Sequence, residues 1–158
     1  MKQMTRREIL GALALIAAGS LRAGAQTSPA IQIYAIQIYK DPTCGCCALW
    51  VEHLRKAGFK AMVTDVDDIA AIKTKYGVPA RVGSCHTGLV GGYVVEGHVP
   101  AADVQRLLKE RPAIAGIGVP GMPIGSPGME VAGVKPQPYD VLSFTKAGDI
   151  RVFASHNR

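Results

Sequence analysis

Ile36-Gln37-Ile38-Tyr39-Lys40-Asp41-Pro42-Thr43-Cys44-Gly45-Cys46-Cys47 carries the decision about the fold, because it runs from a strand pattern through a loop into three thiols. Ile31 to Tyr39 is rich in β-branched and aromatic residues and predicts a strand, with an ambiguous register because Ile-Gln-Ile-Tyr occurs at 31–34 and again at 36–39. From Cys47 to Ala57 the apolar positions Leu49, Trp50, Val51, Leu54 and Ala57 follow helical spacing, with Gly58 as the stop. Phe59, Ala61 and Val63 then alternate as a second strand, and Asp67 is placed to cap a helix running to Tyr76 before Gly77 and Pro79. Strands are predicted over Ala80 to Cys85 and Gly92 to Glu96, followed by a helix from Ala101 to Glu110. The order β-α-β-α-β-β-α predicts an α/β domain, a small mixed sheet with helices on both faces. Residues 112–138, crowded with Gly and Pro, read as an ordered loop over the domain, and residues 139–155 as a closing β-hairpin.

Working outward to the N-terminus, Lys2, Arg6 and Arg7 precede an apolar run from Ile9 to Ala18 and then Ala23-Gly24-Ala25. This basic, apolar, small-residue layout predicts a signal peptide over residues 1–25, cleaved near Ala25. Thr5-Arg6-Arg7-Glu8-Ile9-Leu10 resembles the twin-arginine export motif. An uncleaved anchor is the competing reading, and the apolar run is short for a membrane span. Residues 26–158 then form a single domain, expected in the periplasm. Loss of Lys2, Arg6, Arg7, Arg22 and Glu8 lowers the formal charge from +6 to +3. The remaining basic residues form no run and no aromatic-interleaved stripe, so neither a nucleic-acid partner nor a stable membrane span after cleavage is expected.

All four cysteines lie in two places, Cys44-Gly45-Cys46-Cys47 and Cys85-His86. Cys44 and Cys47 have C-x-x-C spacing at a helix N-terminus, where free N–H groups and the helix dipole favour thiolate. A structural disulfide framework is the bland alternative for an exported chain. Against it, adjacent Cys46 and Cys47 are poorly placed to staple distant segments, and a chain of this size builds a core without staples. Several thiolates with an imidazole suit Cu(I) or Zn(II); hard cations would want carboxylates. The two-pair spacing usual for zinc is absent, and clustered thiolates shared between ions fit Cu(I) better than zinc.

Tyr39 to Cys47 with Trp50, Gly77-Val78-Pro79, Ser84-Cys85-His86-Thr87, Gly91 to Ala101 and Gly121 to Met129 together resemble the CopG-like proteins of copper resistance. The resemblance covers Ile36 to His156 and implies a thioredoxin-like fold, a periplasmic location and a copper site. By the same resemblance Cys44, Cys46, Cys47 and Cys85 would be the copper-binding thiolates, holding one ion or a multinuclear cluster. Copper ions and other periplasmic copper-handling proteins would be the partners, with storage, transfer and redox interconversion of copper all open. In a thioredoxin-like order the Pro79 segment lies beside the first helix, and a cis peptide at Pro79 is expected to fix that approach.

His86 is the imidazole best placed to join the metal. Neighbouring strand residues point to opposite faces, so joint ligation with Cys85 requires a bulge or loop. His98 reads as satisfying the turn before the third helix, His53 as a surface residue of the first helix, His156 as uninformative, and Trp50 as core cover. Met122 and Met129 are soft thioethers whose commoner role is packing. The competing function is a thiol-disulfide oxidoreductase, Cys44 attacking and Cys47 resolving. Cys46 and Cys85 argue for metal binding, since a redox enzyme needs only two cysteines.

Overall fold

The computed structural model describes residues 33–158. The export-signal reading, and the first copy of the doubled Ile-Gln-Ile-Tyr up to Gln32, lie outside the described residues. The strand forms on the second copy, β1 (Ala35–Lys40), and is followed by α1 (Gly45–Lys56), β2 (Lys60–Asp65), α2 (Ile69–Lys75), β3 (His86–Val90), β4 (Tyr93–Glu96), α3 (Ala101–Glu110), β5 (Gly116–Gly118), β6 (Tyr139–Phe144) and β7 (Ile150–His156). The strands form one mixed sheet in the order β2-β1-β3-β4-β5-β6-β7. β1 with β2 and β4 with β5 are parallel; the other neighbours are antiparallel. Among the described residues no helix is long and apolar enough to cross a membrane.

The strand period of two separates the faces. Ile36 and Ile38 of β1 and Val95 of β4 point into the main core, where they meet Trp50, Val51 and Leu54 of α1 and Val104, Leu107 and Leu108 of α3. The opposite face carries a second cluster of Val82, Val94 and Phe144, with Tyr76 and Leu89 packed on it. α2 covers that face near β1, where Tyr76 stacks on Tyr39 with ring centroids 5.9 Å apart. The mixed sheet with helices on both faces is therefore as predicted. At the end of α1, Gly58 at φ +90° lets Phe59 N–H reach back to the Leu54 carbonyl at 3.1 Å and closes the helix.

Three local expectations are corrected, and a fourth falls in the Gly/Pro segment, where a strand stands in place of a loop. Ala80 to Cys85 is not a strand: a 3-10 turn spans Ala80–Val82 because Val82 N–H bonds the Pro79 carbonyl at 2.8 Å and Gly83 N–H the Ala80 carbonyl at 3.2 Å. Pro79 is trans, since no described peptide is cis. The cap of α2 is Asp68, whose carboxylate accepts from Ala71 N–H at 2.9 Å, and Asp67 lies before it.

The Gly/Pro segment 112–138 contains β5, buried between β4 and β6. Its glycines serve close packing. A Cβ on Gly116 would meet the Phe144 ring at 2.7 Å as well as the Val94 carbonyl, and one on Gly118 would meet Val82 at 2.5 Å. The closing hairpin is present as read, with β7 reaching His156 and an irregularity between Val141 and Leu142.

Because Ile117 is fully buried in this short strand while Val131 of the same segment is exposed, the two should respond differently to truncation. Ile117→Ala is expected to lower the unfolding free energy by about 2–5 kcal/mol, and Val131→Ala to change it by less than about 0.5 kcal/mol. Urea denaturation of both variants measures the contrast.

Candidate metal and thiol site

The loop between β1 and α1 is a compact turn. Asp41 accepts from Thr43 N–H at 2.7 Å and from the Thr43 hydroxyl at 2.5 Å, and its carbonyl accepts from Cys44 N–H at 3.1 Å. The hydrogen bonds from Thr43 hold the Asp41 carboxyl below its ordinary pKa. Cys44 is thereby delivered as the N-cap of α1, with Cys46 and Cys47 in its first turn.

Cys44 and Cys47 are joined by a disulfide with Cα atoms 5.4 Å apart, whereas Cys46 and Cys85 are free. The pair that closes is the C-x-x-C pair. Cys46 Sγ lies 3.5 Å from Cys44 Sγ, and the sulfurs of Cys44, Cys46, Cys47 and Cys85 all fall within 4.8 Å of one another. Cys47 is buried under the helix; Cys44, Cys46 and Cys85 are partly accessible.

Cys85 sits in the bend before β3, and this settles the problem of adjacent residues facing opposite ways. Its Sγ is 3.2 Å from His86 Nδ1 and 3.1 Å from His98 Nε2. Cys85, His86 and His98 thus form a second group of donors within 4.8 Å, sharing Cys85 with the first. His86 is fully buried with its ring 4.2 Å from that of Trp50, and the Trp50 indole N–H donates to the Val99 carbonyl at 2.8 Å. His98 Nδ1 lies 2.9 Å from the Pro127 carbonyl. A carbonyl only accepts, so Nδ1 carries the proton and the Nε2 lone pair faces Cys85.

Burial decides the charge state of this group. It lowers the pKa of His98 and takes that of His86 well below the usual value, with the nearby His98 and Lys73 adding to the effect on His86. Both rings are neutral donors near pH 7. The Cys85 thiol is pushed up to about 11, first by burial and then by the neighbouring Cys46. It is a protonated thiol near pH 7.

Polar contacts behind the cluster hold the Cys85 segment in place. The fully buried Glu96 accepts from Ser84 N–H at 2.7 Å, from Lys73 Nζ at 2.5 Å and from the Thr87 hydroxyl at 2.7 Å. Gly97, at φ +68°, allows the chain after β4 to pass Ser84, where a Cβ would lie 2.5 Å from the serine side chain. The Ser84 hydroxyl donates to the Gly121 carbonyl, and Gly121 N–H donates to the Gly83 carbonyl at 3.2 Å. Next to this tie, Met122 is 50% exposed with its thioether 3.9 Å from Cys46 Sγ. Gly128 closes the other side, since a Cβ there would lie 2.8 Å from Trp50 N and 3.0 Å from the Cys46 carbonyl.

The structure therefore brings together Cys44, Cys46, Cys47, Cys85 and His86, and it adds His98, which the turn reading missed. The β3–β4 register was the available signal. A two-residue turn at Gly91-Gly92 pairs Val90 with Tyr93 and Thr87 with Glu96, and the same count sets Cys85 against His98. His53 is also corrected. It is half-buried, and its Nε2 accepts from Ala101 N–H at 3.0 Å, capping α3. His156, 2.6 Å from the Asp103 carboxylate, ties β7 to α3. Trp50 is core cover, as read.

A family model described as "Protein of unknown function, DUF411" matches residues 82–129. No curated protein matches the chain. Among solved structures, "Copper resistance protein copG- Form 2" is 45% identical, with a TM-score of 0.75 over 79% of this chain and 99% of that one. "Copper resistance protein copG- Form 1" is likewise 45% identical, with a TM-score of 0.74 over 79% of this chain and 98% of that one.

Two outcomes test this geometry. Glu96→Gln, which strands the Lys73 ammonium, is expected to cost about 3 kcal/mol or more in chemical denaturation and to speed hydrogen exchange at the Ser84 amide. Alkylation of Cys85 in the metal-free protein, followed by peptide mass spectrometry, should accelerate about tenfold per pH unit up to about pH 11. A rate independent of pH in that range would remove the buried-thiol description.

Proposed function

The chain belongs to the family of the copper resistance protein CopG, and from that premise we propose that it is an exported copper-binding protein whose cargo is Cu(I), held by cysteine thiolates for copper resistance. The observation that carries this reading is the gathering of Cys44, Cys46, Cys47 and Cys85, with His86 beside Cys85, at the first turn of α1. Among the described residues, neither donor group includes a carboxylate. Thiolates, thioether and neutral imidazole form a soft set that favours Cu(I) over calcium, magnesium or manganese. Zinc accepts thiolates and imidazole too, but sulfurs packed closely enough to be shared between ions favour a multinuclear Cu(I) arrangement. The signal-peptide pattern of residues 1–25 supports a periplasmic location, where free copper and other copper-handling proteins are the partners. The order β-α-β-α-β-β-α, with β2-β1-β3-β4 adjacent in the sheet, supports a thioredoxin-like description of the core.

With the disulfide closed, Cys44 and Cys47 are withdrawn from the thiolate set. Opening it takes two electrons and two protons and yields two thiols, which give up those protons when copper binds. The reverse closure from two thiolates releases two electrons, enough to reduce two Cu(II) to two Cu(I). Copper valence and thiol state are thus stoichiometrically matched. The same disulfide at a helix N-terminus is the specific observation favouring a second reading, a thiol-disulfide oxidoreductase with Cys44 attacking and Cys47 resolving.

Reduced protein is expected to bind more than one equivalent of Cu(I) and to show a thiolate-to-copper charge-transfer band, most of which Cys46→Ser or Cys85→Ser removes. Wild-type binding in both variants would end the thiolate-cluster reading. A disulfide-reductase activity destroyed by Cys44→Ser and untouched by Cys46→Ser would establish the oxidoreductase instead. Metal analysis of protein purified from periplasm, with and without added copper, identifies the cargo directly.

A further inference from the structure

The two faces of the sheet are unequally covered. α1 and α3 pack on the main core, whereas the face carrying Val82, Val94 and Phe144 has the short α2 lying near β1. Beside α2 a cavity of about 670 Å³ opens over β3, β4 and the chain entering β5, lined by Leu89, Val94, Ile114 and Ala115 together with Tyr76 and Tyr93. Leu89, Ile114 and Ala115 are only half-buried, so packing among the described residues leaves this apolar surface unfinished. Gly77 and Gly92 also line the cavity, and a Cβ on either would meet nothing within 4 Å. The cavity adjoins the Leu89 end of β3, while Cys85 and His86 lie at the opposite end of that strand. None of its lining residues belongs to the thiol and imidazole cluster.

Its charge is as one-sided as its floor is apolar. Lys75 at the end of α2 and Lys146 in the β6–β7 turn line the cavity, and no Asp or Glu does. Both lysines are exposed, and neither forms an ion pair among the described residues. Lys75 Nζ lies 5.3 Å from the Tyr76 ring centroid, which keeps the ammonium beside the aromatic wall. Asp149, on the same turn as Lys146, is engaged elsewhere, its carboxylate accepting from the Thr145 hydroxyl at 3.2 Å. Two lysines are too few for a nucleic-acid stripe, and a wholly apolar ligand would leave both charges unused. We propose that this cavity binds an amphipathic organic anion, its apolar body against Leu89, Val94 and Ala115 and its carboxylate or sulfonate head paired with the lysines. The volume falls within the range of about 300–1,000 Å³ usual for small-molecule sites. The assignment shares no residue with the metal reading and does not depend on it.

The fluorescent probe anilinonaphthalene sulfonate, with uncharged phenylnaphthylamine as its control, tests this on native protein purified from periplasm. The expected result is saturable one-to-one binding of the sulfonate, with ¹⁵N NMR shifts confined to the amides around Leu89, Val94 and Ala115. Joint charge reversal, Lys75→Glu with Lys146→Glu, is expected to weaken sulfonate binding about tenfold and to leave both phenylnaphthylamine binding and the unfolding curve unchanged. Competition with naphthoate and with decanoate then tells an aromatic body from an acyl one, and displacement by neither overturns the proposal. Absence of saturable binding, equal sulfonate affinity in the wild type and the charge-reversed variant, or shifts at other amides overturns it as well. So does self-association that shifts the same amides without probe, since a second copy would then be the occupant.

Discussion

The pairing of β3 with β4 is the constraint on which the site depends. These two strands lie in the middle of the sheet, and their turn at Gly91-Gly92, with both glycines at positive φ, admits a single register. In that register Thr87 stands opposite Glu96, and beyond the last ladder pair Cys85 comes to His98. A shift of one residue would turn Glu96 into the main core and Val95 toward Lys73. It would also separate the thiol from the imidazole.

Glu96 converts this register into a fixed site. A buried carboxylate paired only with Lys73 would repay its desolvation poorly. Here it is also hydrogen-bonded by the Ser84 amide and the Thr87 hydroxyl, so its oxygens are used on three separate segments of chain. α2, the bend carrying Cys85, and β3 are held to one point. The donors on the other side of the sheet, His86 against Trp50 and His98 against Pro127, are kept neutral by burial and aimed by their neighbours. The placement of these donor atoms is thus a product of the sheet rather than of the cysteine loop.

Features with a local cause were legible in the sequence. Helical spacing from Cys47 to Ala57 and from Ala101 to Glu110, the Gly58 stop and the closing hairpin all formed close to where the residue pattern put them. The thiol cluster was legible for the same reason, since three of its sulfurs fall within four residues. Features whose cause is distant were not. Gly116 and Gly118 look like loop glycines and are strand glycines, because what excludes a side chain there is Val94, Phe144 and Val82. His53 looks like a surface residue until α3 is placed over it, and His98 looks like a turn residue until the hairpin register is counted. The strand pattern at Ala80 to Cys85 was too short to resist the turn that Pro79 and Gly83 close.

The donors differ widely in how far apart they lie along the chain. Cys44 and Cys47 are separated by 3 positions, Cys85 and His98 by 13, and Cys46 and Met122 by 76. Loop closure costs little for the first pair and demands native tertiary structure for the last. An unfolded chain can accordingly oxidise its C-x-x-C pair, or offer neighbouring thiols to a passing ion, but it cannot present sulfur and both imidazoles together. Completion of the donor set is a report that the molecule has finished folding.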